Sequence, residues 1–549
     1  MKKGFLKKIL ALALVGVMTM PFMAACGGDE TPDNGGNNGG TNTDINGGNN
    51  NNGGNNNNGG GNNNGNGGGS ADMNQNVGTR TELSFSFYQA GYGDGWVRES
   101  VENFERKYPQ YKINYTGNAS MFETLKTELE NDDCDDDIVL IADDVYTSLA
   151  STGKLADLTD MMDMQLPDSS ATVRSIIPDA HYEYRNAGGK QYGLPWQENP
   201  AAGIVYNKTM FDYLGIEIPE TMEDYWEVCE AISWLDENCD GDATNDVNPL
   251  VYGGAQQYGY LPNVLNQWFL EDVGAEYMRD FLRYEDVYQF DETEDTRLKV
   301  YETLATMLNG VTSTNLRYTS TYASNYSVSD AQRDFINGKA AMLVCGSWFP
   351  TETSATLNGA NNSDFEYGFF GIPHVNASKK DKTGAIDTSN VRYSYNSNVL
   401  AIPASSTKKE AAKLFLLELY SNENMDAFVK NNMGLTRPTT LPTQDVVFTH
   451  TDSRVSSFAA QAYAYYKGSA AKPATLVYSL TKKKAASVVA PCTTKNPAAT
   501  GGDTLQALIS ATSLAQALTI AATDAANETG YVYNYWDEGA GDWVEEYRG

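Results

Sequence analysis

Apolar and polar residues alternate from Glu82 to Tyr88, and from about Trp96 the apolar positions Val97, Val101 and Phe104 recur at helical spacing. A glycine-broken segment, QAGYGDG at 89–95, separates this predicted strand from the predicted helix. A second helix is predicted on Phe122, Leu125 and Leu129, and DIVLIA at 137–142 reads as a buried strand. Further along, YGLPW at 192–196 and GIVYNK at 203–208 bracket an extended passage. In PETMEDYWEVCEAISWL, Thr221 and Asp224 have capping-box spacing, and Met222, Tyr225, Trp226, Cys229 and Ile232 share one helical face. Ser329 and Gln332 open a short helix that Asn337 and Gly338 stop, and the strand AAMLVCG follows, with Trp348 just past its end. NVLAIPA at 398–404 is another strand, and Thr407 with Glu410 caps a helix through Leu414 and Phe415. Repeated strand–helix alternation predicts an α/β protein with largely parallel sheets.

The ends of the chain follow different patterns. Lys2, Lys3, Lys7 and Lys8 precede an apolar run from Ile9 to Val17, and FMAAC closes the segment at Cys26. Basic, apolar and small-residue regions in that order form an export signal, and the run is too short for a spanning helix. The segment resembles bacterial lipoprotein signals, which implies cleavage before Cys26 and lipid attachment to its thiol. Residues 46–69 are Asn and Gly throughout. Such a stretch buries too little to offset its ordering entropy. Residues 26–78 therefore read as a tether, with a typical span on the order of 40 Å for roughly 50 residues.

Charge and cysteine content narrow the chemistry. The chain has 39 basic against 71 acidic residues, and residues 1–25 hold four of the lysines and no acid. This charge opposes binding to nucleic acid or directly to an anionic membrane, so membrane contact is expected through the lipid anchor only. Five cysteines remain after Cys26, without a CxxC pair and with three histidines in the whole chain, which leaves no support for a zinc site. Cys345 sits in an apolar run and is expected as a buried thiol. The 34 tyrosines and 8 tryptophans serve either a large core or flat rings for sugar faces.

One acidic segment has metal-ligand spacing. In DENCDGDATND at 236–246, Asp236, Asn238, Asp240 and Asp242 with the turn at Gly241 match the first half of a calcium loop. Position twelve is Val247, so Asp246 would have to supply the last ligand one place early. The segment is either a structural calcium brace or a solvated acidic loop, and no other cofactor is expected. The run DDCDDD at 132–137 lacks this spacing and is expected to be solvated.

Six segments together resemble extracellular solute-binding proteins of family 1, the sugar receptors of ABC importers, similar in plan to maltose-binding protein. They are WVRESVENFERKYPQYKI, DIVLIADDVYTSLASTGKLADLTD, YGLPWQENPAAGIVYNKTMF, DFINGKAAMLVCGSWFP, NVLAIPASSTKKEAAKLFLLELYSNENMDAFV and, at the start, the lipoprotein signal. The likeness covers residues 82–437 and weakens beyond 440. It implies a type II periplasmic-binding-protein-like fold: residues 79–196 with 397–435 as lobe I, residues 197–396 with 436–549 as lobe II, and a ligand cleft between them. Crossing segments are implied near Gly193–Pro200 and Tyr393–Leu400.

The resemblance also implies ligand positions. Tyr92, Asp94 and Trp96 lie after the first strand, Asp143 and Asp144 after DIVLIA, and Trp196, Gln197 and Asn199 at the first crossing. Trp348 stands where relatives stack a pyranose ring, Asn396 and Asn398 flank the second crossing, and Arg437 falls near the cleft. For each there is a plainer role: Trp96 as helix core, Asp143 as a helix cap, Arg437 as a surface ion-pair partner. The implied function is capture of a carbohydrate, an oligosaccharide, by a monomer tethered outside the cytoplasmic membrane, with delivery to permease subunits and no catalysis. A lipid-anchored glycoside hydrolase and a peptide or polyamine receptor on the same fold are the alternatives.

Overall fold

The structure, a computed structural model, describes residues 79–89, 91, 93–199, 203–233, 235, 247–255, 260–282, 294–310, 318–320, 322–357, 364–375, 390–431, 452–469, 472–478, 483–484, 504–525, 531–537 and 542–548. Strand β1 (Thr81–Tyr88) leads through the glycine loop into helix α1 (Gly95–Lys107), then β2 (Tyr111–Asn118), α2 (Met121–Glu130), β3 (Ile138–Ala142) and α3 (Asp143–Ser151). β1 pairs in parallel with β2 and with β3, as right-handed strand–helix–strand units require. Alternation in β1 places Leu83, Phe85 and Phe87 in the core, where they meet the Trp96, Val97, Val101 and Phe104 face of α1. α2 buries Met121, Leu125 and Leu129, while Phe122 turns outward and stacks on Tyr88 at 4.3 Å.

The chain then crosses by β4 (Gly193–Asn199) directly into β5 (Gly203–Asn207). The second body adds α4 (Met222–Ser233), β6 (Asn248–Val251), α5 (Leu261–Val273), α6 (Glu294–Asn309), α7 (Val328–Ile336), β7 (Ala340–Cys345) and β8 (Tyr367–Phe370). Its sheet runs β8-β5-β7-β6, with only β6 and β7 parallel. The expectation of largely parallel sheets therefore fails here. β5 runs antiparallel to both of its neighbours, β7 and β8. Alternation along β5 sends Val205 into the core cluster that reaches the first sheet, and Ile204 and Tyr206 into a second cluster with α4, α5 and α6.

Strand β9 (Val391–Ala401) belongs to both bodies. Its first half pairs with β10 (Thr475–Tyr478), and the Gln267 side chain of α5 bonds to it, donating to the Val391 carbonyl at 3.0 Å and accepting from Tyr393 N–H at 2.9 Å. Its second half runs antiparallel to both β3 and β4, with register shifts between Tyr395 and Ser397 and between Asn398 and Val399. Helices α8 (Lys409–Leu419) and α9 (Asn422–Asn431) then return to the first sheet, where Phe415 meets Phe85 and Phe104. In the second body, α10 (Ser453–Lys467) packs Phe458 against Tyr367 and Phe369 of β8. Beyond it, α11 (Leu514–Ala525) buries Ala517 and Ala521 in the second cluster. The aromatic tail forms a hairpin, β11 (Tyr531–Asp537) with β12 (Asp542–Arg548), in which Trp536 lies opposite Trp543.

Candidate functional site

The carboxyl ends of β1, β3 and β7, with the crossing strands β4 and β9, carry most of the candidate residues that the structure describes. In α/β sheets these ends are where loops and helix starts can face a ligand. On the first lobe, Asp94 stands at the N-cap position of α1 without making a capping bond, and its carboxylate lies 3.8 Å from Arg98. The pair is exposed, so it contributes little to stability and leaves Asp94 available at the rim.

The two tryptophans of this lobe are in its core. Trp96 and Trp196 are fully buried, with ring centroids 5.1 Å apart. Trp96 meets Phe85, Phe87 and Phe428 edge-on, and Trp196 meets Tyr420 and Phe428 in the same way. The Tyr420 hydroxyl donates to the Pro195 carbonyl, fixing the crossing strand to the α8–α9 junction. As stacking surfaces for ligand both expectations are corrected, because α1 and β4 turn these rings inward to fill the same cluster.

Asp143 is likewise committed to the protein. It is the first residue of α3 and only 6% exposed, and the fully buried Arg185 donates to it at 2.9 Å. The other terminal nitrogen of Arg185 lies 2.9 Å from His181 Nδ1. Burial, then the Arg185 charge, pushes the His181 pKa well below its ordinary value, so the ring is neutral and Nδ1 accepts. The Tyr146 hydroxyl donates to the Arg185 carbonyl at 2.6 Å and accepts from Tyr192 N–H at 3.2 Å. This network ties the start of α3 to the segment entering β4. Asp143 is thus held within the protein by Arg185.

Asn398 is buried at the meeting of the crossing strands, in register with Ala142 on one side and Gln197 on the other. Asn199 lies opposite Tyr395 in the same ribbon. Asp144, Gln197, Asn199 and Asn396 have described backbones, in α3, β4 and β9, and their side chains lie outside the described residues. Tyr92, Arg437, Cys26 and the calcium-type loop with Asp236, Asn238, Asp240, Asp242 and Asp246 also lie outside them.

The facing wall on the second lobe is the segment after β7. Trp348 is 6% exposed, with its ring laid over Gly346 and edge-on to Tyr260 at 5.1 Å. A Cβ at position 346 would overlap that ring, so only glycine lets it lie there. Gly346→Ala is expected to displace the Trp348 ring, shifting the near-ultraviolet circular dichroism and tryptophan emission with little loss of helix signal; unchanged spectra would contradict this packing. In this segment, Ser347 Oγ, Trp348 Nε1 and Thr351 Oγ1 are buried and have no hydrogen-bond partner among the described residues. Unpaired buried polar atoms are costly.

Residues that the sequence reading missed complete this wall. Glu352 accepts from Gln332 Nε2 at 2.6 Å. Gly91 of the β1 loop faces it so closely that a Cβ there would be 2.8 Å from Glu352 Oε1. Loops from the two lobes therefore meet at this seam. On the first lobe, the half-buried Tyr88–Phe122 stack offers rings beside the end of β1. The sequence places Phe122 on α2 with Leu125 and Leu129, and the buried face of the helix instead runs through Met121, Leu125 and Leu129.

The run DDCDDD lies at the opposite end of β3 and is not simply solvated. Cys134 is buried, and Asp137 accepts from Lys408 Nζ at 2.8 Å, Ser406 Oγ at 2.8 Å and Ser84 N–H at 3.1 Å. Cys134, Cys229 and Cys345 are buried free thiols. Among the described residues, no helix is long and apolar enough to cross a membrane.

Comparison with known proteins places this geometry. The family described as bacterial extracellular solute-binding protein matches residues 90–426. The multiple sugar-binding protein of Streptococcus mutans serotype c is 24% identical over 306 residues, 55% of this chain and 64% of that protein's length. The apo form of RafE from Streptococcus pneumoniae superimposes with a TM-score of 0.53 at 17% identity, covering 82% of this chain and 98% of that one. RafE in complex with raffinose gives 0.52 at 16% identity, covering 81% and 98%. These likenesses are of fold, and the fold is the two-lobed, type II plan of periplasmic solute receptors.

Proposed function

The chain belongs to the bacterial extracellular solute-binding proteins, and from that membership and the cleft's chemistry we propose that it captures an extracellular carbohydrate, an oligosaccharide, between its lobes and passes it to the permease of an ABC importer. One observation carries the reading: after β7, Thr351 and Glu352 lie against Gly93 and Gly91 of the loop after β1, next to the Trp348 ring. Sugars offer a matching combination of apolar ring face and hydroxyls. The Tyr88–Phe122 stack supplies a second aromatic surface on the other lobe. Related proteins whose names record sugar binding support the same ligand class.

Binding without turnover fits the carboxylates of the site. Glycoside hydrolysis uses two carboxyls about 5–9.5 Å apart across the scissile bond. Asp143 is held by Arg185, and among the described residues no second carboxyl acts on Glu352. Calorimetric titration with neutral oligosaccharides, raffinose and chitin oligomers included, is expected to give binding heat and a raised melting temperature. Absence of both across a broad glycan panel would end the sugar reading, and release of shorter products would favour a hydrolase.

The anchor belongs to the same proposal. With Cys26 lipidated, the Asn/Gly tether holds the receptor within on the order of 40 Å of the membrane and raises its concentration at the permease. Cys26→Ser is expected to release the protein from the membrane fraction and impair uptake, with ligand affinity of the body unchanged. Retention in the membrane fraction would contradict the anchor.

A further inference from the structure

The acidic run before β3 has no metal-ligand spacing, yet the fold assembles a ligand set from it and the end of α2. Glu128, Cys134 and Asp136 bring one donor atom each to within 4.8 Å of one another. A left-handed turn at the end of α2 makes this possible: Asp132 takes a φ of 62°, Asp133 N–H donates to the Glu128 carbonyl at 2.9 Å, and Asp132 N–H donates to that of Leu129 at 3.4 Å. Paired bonds of this kind reverse the chain at a helix end. The reversal returns residues 134–136 to the side of Glu128, and Cys134 enters the apolar cluster of Leu125, Leu129 and Val139.

Two observations separate this group from an ordinary acidic surface. Cys134 is 5% exposed and forms no disulfide, and its sulfur faces both carboxyls. The sulfur accepts the Asp136 N–H, while the thiol hydrogen is donated to no group among the described residues. The carboxyls, for their part, lack a cation. Among the described residues neither Glu128 nor Asp136 forms an ion pair, and the lysines at this end of the lobe are engaged elsewhere, Lys154 with Asp132 at 2.7 Å and Lys408 with Asp137 at 2.8 Å. Burial, then the Asp136 charge, raises the Glu128 carboxyl, and burial raises that of Asp136. Burial also pushes the Cys134 thiol up to about 11.

We propose that Glu128, Cys134 and Asp136 form a zinc site that braces the first lobe at the end of β3 remote from the cleft. The donor set selects the metal. One thiolate with two carboxylates matches a borderline ion such as zinc, whereas calcium takes six to eight oxygen donors and magnesium near-octahedral oxygen ligation. Tetrahedral ligation at about 2.3 Å to sulfur and about 2.0–2.2 Å to oxygen puts the donors about 3.6 Å apart, so the half-buried Glu128 and Asp136 side chains draw inward by about 1 Å, with water as the fourth ligand. On binding, the S–H bond breaks, its proton passes to solvent and the sulfur pair bonds the metal, so affinity rises with pH. The bound ion then links the last turn of α2 to the start of β3.

The site is independent of the sugar reading, and no sugar enters its test. The metal-free full chain is titrated with cobalt(II) and then with zinc. Cobalt is expected to give a sulfur-to-metal charge-transfer band in the near ultraviolet, and zinc to displace it and raise the melting temperature. Cys134→Ala is expected to lose the band, and Glu128→Gln and Asp136→Asn each to weaken zinc binding by about tenfold or more. Cys239→Ser, in the other acidic segment, is expected to keep both. Absence of the band or of the thermal shift in the wild type overturns the brace, whether or not the variants fold. A band that persists in Cys134→Ala or disappears in Cys239→Ser overturns the assignment to this cluster. Zinc affinity unchanged in both carboxyl variants overturns the three-ligand set.

Discussion

Replacing Asp143 with alanine is expected to cost about 3–5 kcal/mol of stability, since it removes a carboxylate partner of a fully buried guanidinium. Arg185 has no solvent exposure, and the neutral His181 on its other side cannot neutralise it. The loss should appear as a lower denaturant midpoint of the first lobe. A double variant, Asp143→Ala with Arg185→Met, is expected to recover most of it, because the penalty comes from the buried charge. If Asp143 instead served the ligand, the single variant would unfold at the wild-type midpoint and lose affinity. The two readings thus predict opposite results from one pair of measurements.

Trp96→Ala is the second large effect, expected at about 3–5 kcal/mol from the lost transfer energy and the cavity left behind. Its ring is central to the packing of the first lobe. It touches β1 through Phe85 and Phe87, the crossing strand through Trp196, and α9 through Phe428. Edge-to-face contacts of this kind add to the area term. Trp96→Phe keeps part of the volume and should cost markedly less. Chemical denaturation of both variants checks this order. A Trp96→Ala protein of undiminished stability with weakened sugar binding would return Trp96 to the ligand surface.

Much of the fold was legible because local pattern and tertiary role agree in its strands. DIVLIA and AAMLVCG are buried strands, and the Thr221–Asp224 capping box forms as spaced, with Thr221 Oγ1 accepting from Asp224 N–H at 3.1 Å. The helix expected to open at Ser329 instead begins after Ser327, where Asp330 completes the box two residues earlier. Thr407 does not cap its helix; Ser406 Oγ takes the Lys408 N–H at 3.1 Å. Such choices among adjacent hydroxyls depend on which one the preceding turn aims inward.

The site was less legible for a different reason. Composition shows that tryptophans are present but not which way they face, and the first lobe spends Trp96 and Trp196 on its core. Asp143 looked free because Arg185 is 42 residues away in sequence. Glu352 gave no signal at all, since its environment is made by Gly91 and Gln332, brought to it only by the fold.

Hydrogen exchange with and without a bound oligosaccharide tests the central claim most directly, because it reports on both walls of the cleft at once. Coincident protection of residues 89–95 after β1 and 346–352 after β7 is the result expected of a sugar held between the lobes. Protection confined to one of these segments, or arising only elsewhere in the chain, would contradict it.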